Sequence, residues 1–580
     1  MTVFRVWAPR AQRVDLDLDG RRHAMEEAEN GWFISQALQH KPDSDYGFSI
    51  DGDEPLPDPR TPRQPHGVHG LSRPVDHSVF RWTDQQWAGG QPLSSALIYE
   101  LHVGTFSPAG TFDGVIDQLD HLCDLGVTHV ELMPVAQFPG NRGWGYDGVD
   151  LFAPHESYGG PAGLRRLVDA CHAKGLAVLL DVVYNHLGPS GNYLSRYGPY
   201  FTDHHSTPWG DAVNTDGPDS GEARRFFCDN ALMWLRDYHF DGLRLDAVQE
   251  IVDTTALHLL EQLGEEVAEL EAGLGRRLVL IAESDANDPR YVRPRPHGYG
   301  LNAQWNDDFH HALHAALTGE RGGYYADFGS LEKLAKTITD AWVHDGSYST
   351  FRRRCHGRPP GDLSGHRFLA YMQNHDQVGN RATGDRIGSL VSEGRVKIGA
   401  ALTMVSPYVP MIFQGEEWGA STPFLYFTDH EDRDLGRAVT EGRRREFAAF
   451  GWDPDRIPDP RDSSTFGRSR LDWSEVDREP HASMLRWYRD LIGLRRRVPG
   501  LRNGRRDRVR TDYDEDEQWI AVSREGLQVA CNLSAERRRV PFLHDPTTPR
   551  QVLCSAQASE IGEDSVVLPP DSVVLVIPSS

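Results

Sequence analysis

The chain has 580 residues, 39% hydrophobic and 25% charged, which is the composition of a globular protein of two to four domains. Its formal net charge of −24 argues against a nucleic-acid backbone or an anionic membrane surface as partner and is compatible with a neutral ligand. Six scattered cysteines with no CxxC, no charged-then-apolar leader and no apolar run of membrane-span length make a reducing, cytoplasmic location the expectation.

In chain order, residues 1–92 read as a β-sandwich (immunoglobulin-like) module. Short alternating runs at 3–7, 13–18, 31–37 and 46–50 lie between Gly, Asp and Pro turns. The Pro-rich stretch 54–74 reads as a link along the surface. Across 93–500, strands alternate with helical stretches. The strands fall at 96–103, 127–134, 176–183, 242–246, 278–283, 301–305, 368–373 and 409–414. Eight such units predict a right-handed parallel (β/α)8 TIM barrel. The sixth strand is the weakest, because Asn302 and Gln304 interrupt its apolar run. Two connections are long: 187–219 after strand three, without helical periodicity, and 416–481 after strand eight. The basic run 442–447 in the second reads as a solvated helix face. Long loops on this side of a barrel shape binding. Residues 501–580 carry strands at 519–523, 527–533, 551–554, 565–568 and 572–577, a second β-sandwich.

Four of the predicted strands end in polar side chains that a core would not choose. They are Asp181-Val-Val-Tyr-Asn185-His186, Arg244-Leu-Asp246, Glu283 and Asn374-His375-Asp376. Each alone could be a strand running into a solvated loop, and an Arg-x-Asp pair alone could be a structural ion pair. Together they sit where a barrel places its chemistry.

In this order the four motifs resemble the α-amylase family of glycoside hydrolases (family 13), and the resemblance spans nearly the whole chain. It implies that Asp246 is a nucleophile, Glu283 an acid/base, and Asp376 a third carboxylate that stabilises the transition state. His186, His375 and Arg244 would serve the sugar ring, and Tyr146, in Trp144-Gly-Tyr146-Asp147, would stack beneath it. The chemistry suits the residues. Retaining cleavage of an acetal needs two carboxyl groups about 5–5.5 Å apart, which adjacent strand ends can supply. Arg244 should keep Asp246 ionised, and nearby aspartates should raise Glu283.

Further stretches resemble those family members that act on maltooligosyl trehalose. They include Trp209 with its neighbours, Asp307-Asp308-Phe309-His310-His311, and Gln377 with Asn380. Asp147, Trp209, Asp307, Asp308, His310, His311, Gln377 and Asn380 are therefore expected to bind substrate. The 307–311 run could equally be a helix N-terminus followed by two helix-face histidines. The implied reaction is hydrolysis next to the terminal trehalose, with no cofactor and no metal. A synthase that makes the substrate would be the partner in pathway. Two alternatives are a glycogen branching or debranching enzyme, which shares the module and the three carboxylates, and a non-catalytic glucan-binding protein on the same fold.

Overall fold

In the computed structural model, which describes residues 1–430, 432–448, 457–543, 549–556 and 560–578, the alternating pattern closes into a barrel. Strands one to eight are Ile98–Leu101, His129–Leu132, Ala177–Val182, Gly242–Leu245, Val279–Ala282, Ala303–Trp305, Phe368–Ala370 and Val409–Phe413. All neighbours are parallel, and strand eight returns to strand one with Met411 opposite Ile98. Closure leaves no edge for another chain to pair with. Alternate residues point inward, so Ile98, Leu179, Ile281, Trp305, Tyr371 and Met411 fill the interior as one apolar cluster.

Strand six is only three residues long because Asn302 does other work. Its side-chain oxygen accepts the Leu280 N–H at 2.7 Å, finishing the pairing of strand five. Gln304 alternates with the inward Ala303 and Trp305 and is buried on the outer face.

The 187–219 connection departs from the expected irregular loop. It holds a short helix, Leu194–Tyr197, and an antiparallel hairpin, Phe201–Thr207 with Gly210–Val213. The turn is Pro208-Trp209, and Gly210 takes φ +121°, a conformation that L side chains avoid. β-branched Thr202, Thr207 and Val213 favour strands, a signal hidden by the polar residues between them. In the 416–481 connection, helices Arg433–Ala448 and Ser463–Arg468 form, while residues 431 and 449–456 lie outside the described residues.

The N-terminal residues form two three-stranded sheets. One holds Arg5–Trp7, Trp32–Ile34 and Glu26–Glu27; the other holds Arg21–Ala24, Val14–Leu18 and Tyr46–Ile50. Trp7 reaches from the first sheet to Tyr200 at the foot of the hairpin, ring centroids 5.1 Å apart. A Cβ on Gly198 would fall 2.8 Å from that indole, so glycine permits the approach.

Below the barrel, the segment ahead of strand one is clamped by charge. Trp87 donates its indole N–H to Asp241 at 2.7 Å and stacks on His172 at 4.5 Å. His172 bridges Asp84 (2.8 Å) and Asp241 (2.9 Å) while fully buried. Burial alone would lower its pKa, but the two carboxylates outweigh that and raise it. At the C-terminal end, a five-stranded sheet and a three-stranded sheet enclose a core of Trp519, Val540, Val566 and Val574. Among the described residues no helix is long and apolar enough to cross a membrane.

Candidate active site

The C-terminal ends of the strands converge on one buried guanidinium. Arg244 alternates with Gly242 on strand four and so points into the barrel. Its Nη1 donates to both oxygens of Asp181 (2.8 and 2.9 Å) and to Asp246 Oδ1 (2.7 Å). Its Nη2 lies 3.6 Å from Glu283 Oε2, and its face rests on Trp305 with Cζ 4.3 Å from the ring. A cation on an indole is worth roughly 2 kcal/mol when desolvated. Carboxylates from strands three, four and five thus gather around one charge, which bonds Asp181 and Asp246 through Nη1 and faces Glu283 across 3.6 Å from Nη2.

Asp246 and Glu283 are each then aimed. Asn185 donates from Nδ2 to Asp246 Oδ2 at 2.7 Å and to its carbonyl at 2.8 Å. The next residue, Ala247, takes φ 39°, a strained value for a residue with a Cβ. That turn directs its N–H to Glu283 Oε2 at 2.6 Å. Burial pushes the Glu283 carboxyl well above the ordinary carboxylate range; Arg244 opposes, while Asp246, Asp307 and Asp376 push it further. Glu283 can therefore hold a proton beside a neighbour that Arg244 solvates.

The strand-seven end faces them. Asn374 caps the helix His375–Gly379, accepting the N–H groups of Asp376 and Gln377. This leaves the Asp376 carboxyl 43% exposed in the opening, touched by Asn380 Nδ2 at 3.2 Å. Tyr146 donates its hydroxyl to Asp181 at 2.5 Å, stands 2.8 Å from His375 Nε2 and stacks against that ring at 5.2 Å. His186 Nε2 meets the Tyr146 carbonyl at 3.1 Å, and burial lowers its pKa. Trp209, at the hairpin tip, stacks on His186 at 4.3 Å yet stays 52% exposed.

These groups line a cleft of about 580 Å³, bounded by Leu187 and Pro189 after strand three and by Tyr426, Leu435, Val439 and Arg443 after strand eight. Apolar walls with a few aimed polar groups and flat aromatic faces suit a neutral, hydroxyl-rich ligand. Among the described residues no cluster of His, Cys, Asp and Glu is arranged to hold a metal ion.

Residues 78–209 match the family described as alpha amylase, catalytic domain, and residues 504–575 match a domain of unknown function, DUF3459. The malto-oligosyltrehalose trehalohydrolase of Arthrobacter ramosus is 54% identical over 91% of this chain and 92% of its own length. The enzyme of the same name from Mycobacterium tuberculosis (strain CDC 1551 / Oshkosh) is 50% identical over 99% of both chains. The chain belongs to the malto-oligosyltrehalose trehalohydrolase family. A crystal structure from Salmonella typhimurium, described as an alpha amylase, superposes with a TM-score of 0.90 at 37% identity, covering 99% of this chain and 97% of that one.

On this trehalohydrolase-family framework the predicted residues divide into three groups. Asp246, Glu283, Asp376, Tyr146, Asp147, His186, Trp209 and Asn380 come together on the cleft, with Arg244 and His375 directly behind. Gln377 and Asp307 stand one contact away, joined to each other at 3.2 Å, with Tyr371 also donating to Asp307 at 2.7 Å. Burial raises Asp307 to about 6.

Asp308, His310 and His311 are not brought to the cleft. They lie on the first turns of the helix Asp307–Thr318, capped by Asn306. Asp308 is spent on Asn287 Nδ2 and the N–H groups of Val343 and His344, at 3.0, 2.8 and 2.9 Å. His310 lies 2.8 Å from the Met372 carbonyl and 3.1 Å from the Tyr325 hydroxyl, and His311 packs on Tyr324 and Phe328. For Asp308, His310 and His311 the helix-face alternative describes where the side chains lie.

Sequence reasoning missed other residues. Glu100, inside strand one, grips His375, and its signal was an acid within the apolar run Ile98-Tyr-Glu-Leu101. Phe351 is 48% exposed on a turn whose polar groups bond to Asp327. The neighbouring Arg352 donates to Asp285, two residues past Glu283, at 2.7 Å. Arg443 was expected to be solvated, but it turns inward, donating to Asn380 Oδ1 at 2.7 Å over the face of Tyr426.

Proposed function

We propose that this chain hydrolyses the α-1,4 bond next to the terminal trehalose of maltooligosyl trehalose, with retention, releasing trehalose and a shortened maltooligosaccharide. The observation that carries the reading is the single Arg244 guanidinium bonded to Asp246 and 3.6 Å from Glu283, with Asp376 lining the same cleft.

In the first step Glu283 gives its proton to the bridging oxygen. The C1–O bond breaks with its electron pair going to trehalose, and Asp246 closes on C1. In the second step Glu283 takes a proton from water, whose oxygen bonds C1 as the Asp246 ester bond breaks. Asp376 stabilises the positive anomeric carbon, while Tyr146, His186 and His375 hold the ring being cleaved. Trp209, Asp147, Gln377 and Asn380 meet further hydroxyls. The leaving trehalose departs on the Glu283 side, where Asp285 ties down Arg352. We divide the chain at about 92 and 500 into module, barrel and terminal sandwich. The scattered cysteine spacing, with no CxxC, supports a reducing, cytoplasmic setting, and a synthase of maltooligosyl trehalose would precede this step.

Incubation with maltotriosyl trehalose should release trehalose and maltotriose, the maltotriose appearing first as its α-anomer by proton NMR. Linear α-1,4-glucan should gain no α-1,6 branches. New branch points without trehalose would support the branching-enzyme alternative instead.

A further inference from the structure

Strand one carries an acid that the mechanism above does not use. Inward alternation from Ile98 places Glu100 inside the barrel, 1% exposed and in register with Glu131 of strand two. Its carboxylate takes two groups of one residue: Oε2 accepts the His375 N–H at 3.0 Å, and Oε1 stands 2.5 Å from His375 Nδ1.

Counting protons fixes the state of the ring. Burial raises Asp181 to about 6 against the pull of Arg244, so above that pH it is ionised, held by two hydrogen bonds from Arg244, and can only accept; the one hydroxyl proton of Tyr146 then goes to Asp181. The Tyr146 oxygen must then accept from His375 Nε2, 2.8 Å away. Nδ1 faces Glu100 Oε1, and a carboxylate there can only accept, so Nδ1 donates to it. Both ring nitrogens therefore carry hydrogen.

We infer that Glu100 is a positioning residue that keeps His375 doubly protonated through the catalytic cycle, so that Nε2 always presents an N–H toward Tyr146, Asp376 and the sugar. The inference rests on the reading of this cleft as a glycosidase site. The charged and titratable groups around the ring come from every side: Glu100 and His102 of strand one, Glu131, Tyr146, Asp181, Arg244 and Asp376. Burial would lower His375, but Glu100, followed by Asp376, lifts it to about 9 against the push of Arg244. Glu131 cannot replace Glu100. Both its oxygens lack partners, and burial raises its pKa well above the carboxylate range, which keeps it neutral. The consequence for function is a fixed cation 3.5 Å from Asp376 and a charge-assisted donor at the cleft wall.

The test replaces Glu100 by Gln, nearly isosteric but uncharged, and by Asp, which keeps the charge. The direct readout is the His375 ring, followed by NMR of histidine-labelled full-length enzyme without substrate and assigned with His375→Gln. Wild type should show no titration of this ring below about pH 8, and Glu100→Gln should bring its midpoint down by about two units. In parallel, kcat/KM of Glu100→Gln should fall at least ~10-fold at about pH 8 and within ~3-fold at about pH 5.5, where the ring regains its proton. Glu100→Asp should stay close to wild type in both. A wild-type midpoint below about pH 7, an unchanged midpoint in Glu100→Gln, or an equal loss at every pH would overturn the inference. Should Glu100→Gln fail to fold, the wild-type midpoint and the Asp variant still decide it. Because the NMR readout needs no turnover, a wrong substrate assignment leaves its outcome readable.

Discussion

Replacing Asp308 by Ala separates a structural carboxylate from a substrate-binding one. Asp308 is 2% exposed and takes three donors, Asn287 Nδ2 and the N–H groups of Val343 and His344. Alanine leaves two buried backbone donors with no partner, at about 1–3 kcal/mol each. Asn287 keeps its second bond, to the His344 carbonyl at 3.0 Å, and so loses less. The expected loss is about 3–5 kcal/mol, in the range where single substitutions are severe. Urea unfolding of wild type, Asp308→Ala and Asp308→Asn measures it, with Asn falling between because its carbonyl still accepts. On folded protein, kcat/KM for maltotriosyl trehalose and for the equal-length maltooligosaccharide should fall together. Trp209→Ala gives the contrast: the half-exposed indole costs little stability, and losing it should reduce the trehalose-capped substrate more. An Asp308→Ala protein of unchanged stability that loses only the trehalose-capped activity would refute the reasoning and put Asp308 in the binding site.

Asp246→Asn and Glu283→Gln should each lower turnover by orders of magnitude while substrate binding, followed by calorimetry, survives. Near-normal turnover in either folded variant contradicts the assignment. The clamp beneath the barrel predicts a pH-dependent stability. The folded pKa of His172 is raised, so its contribution is complete below the unfolded value of about 6.5 and is lost as pH rises through the folded value. The pKa of Asp84 is lowered: burial opposes this, but the bonds from His172 and His239 prevail. Its contribution is present above about pH 3.9 and is lost as pH falls. Urea midpoints should therefore decline on both sides of a window from about pH 4 to about 6.5, and Asp84→Asn should flatten both limbs.

The barrel and the three carboxylates were legible because their signals are local. Period-2 runs mark strands, and a carboxylate closing an apolar run marks the active end of one. What could not be read depends on three-dimensional facing. Glu100 alternates inward like any core residue, and only closure of strand one against strands two and eight shows that it meets His375. The run 307–311 spells the same letters as a hydroxyl-binding cluster and as a capped helix start, and packing on Tyr324, Tyr325 and Phe328 decides between them. On the helix Arg433–Ala448, Arg443 turns to the cleft, an orientation set by helix rotation that composition does not carry. The hairpin presenting Trp209 was obscured by His, Asp and Pro among its Thr and Val residues.

The most direct test of the central claim is hydrolysis of maltotriosyl trehalose in ¹⁸O-labelled water, with products separated and weighed by mass spectrometry before oxygen exchange at the reducing end. If Asp246 holds the maltotriosyl carbon and Glu283 protonates trehalose as it leaves, one ¹⁸O enters maltotriose at C1 and none enters trehalose. Label in trehalose, or products that contain no trehalose, would contradict the account.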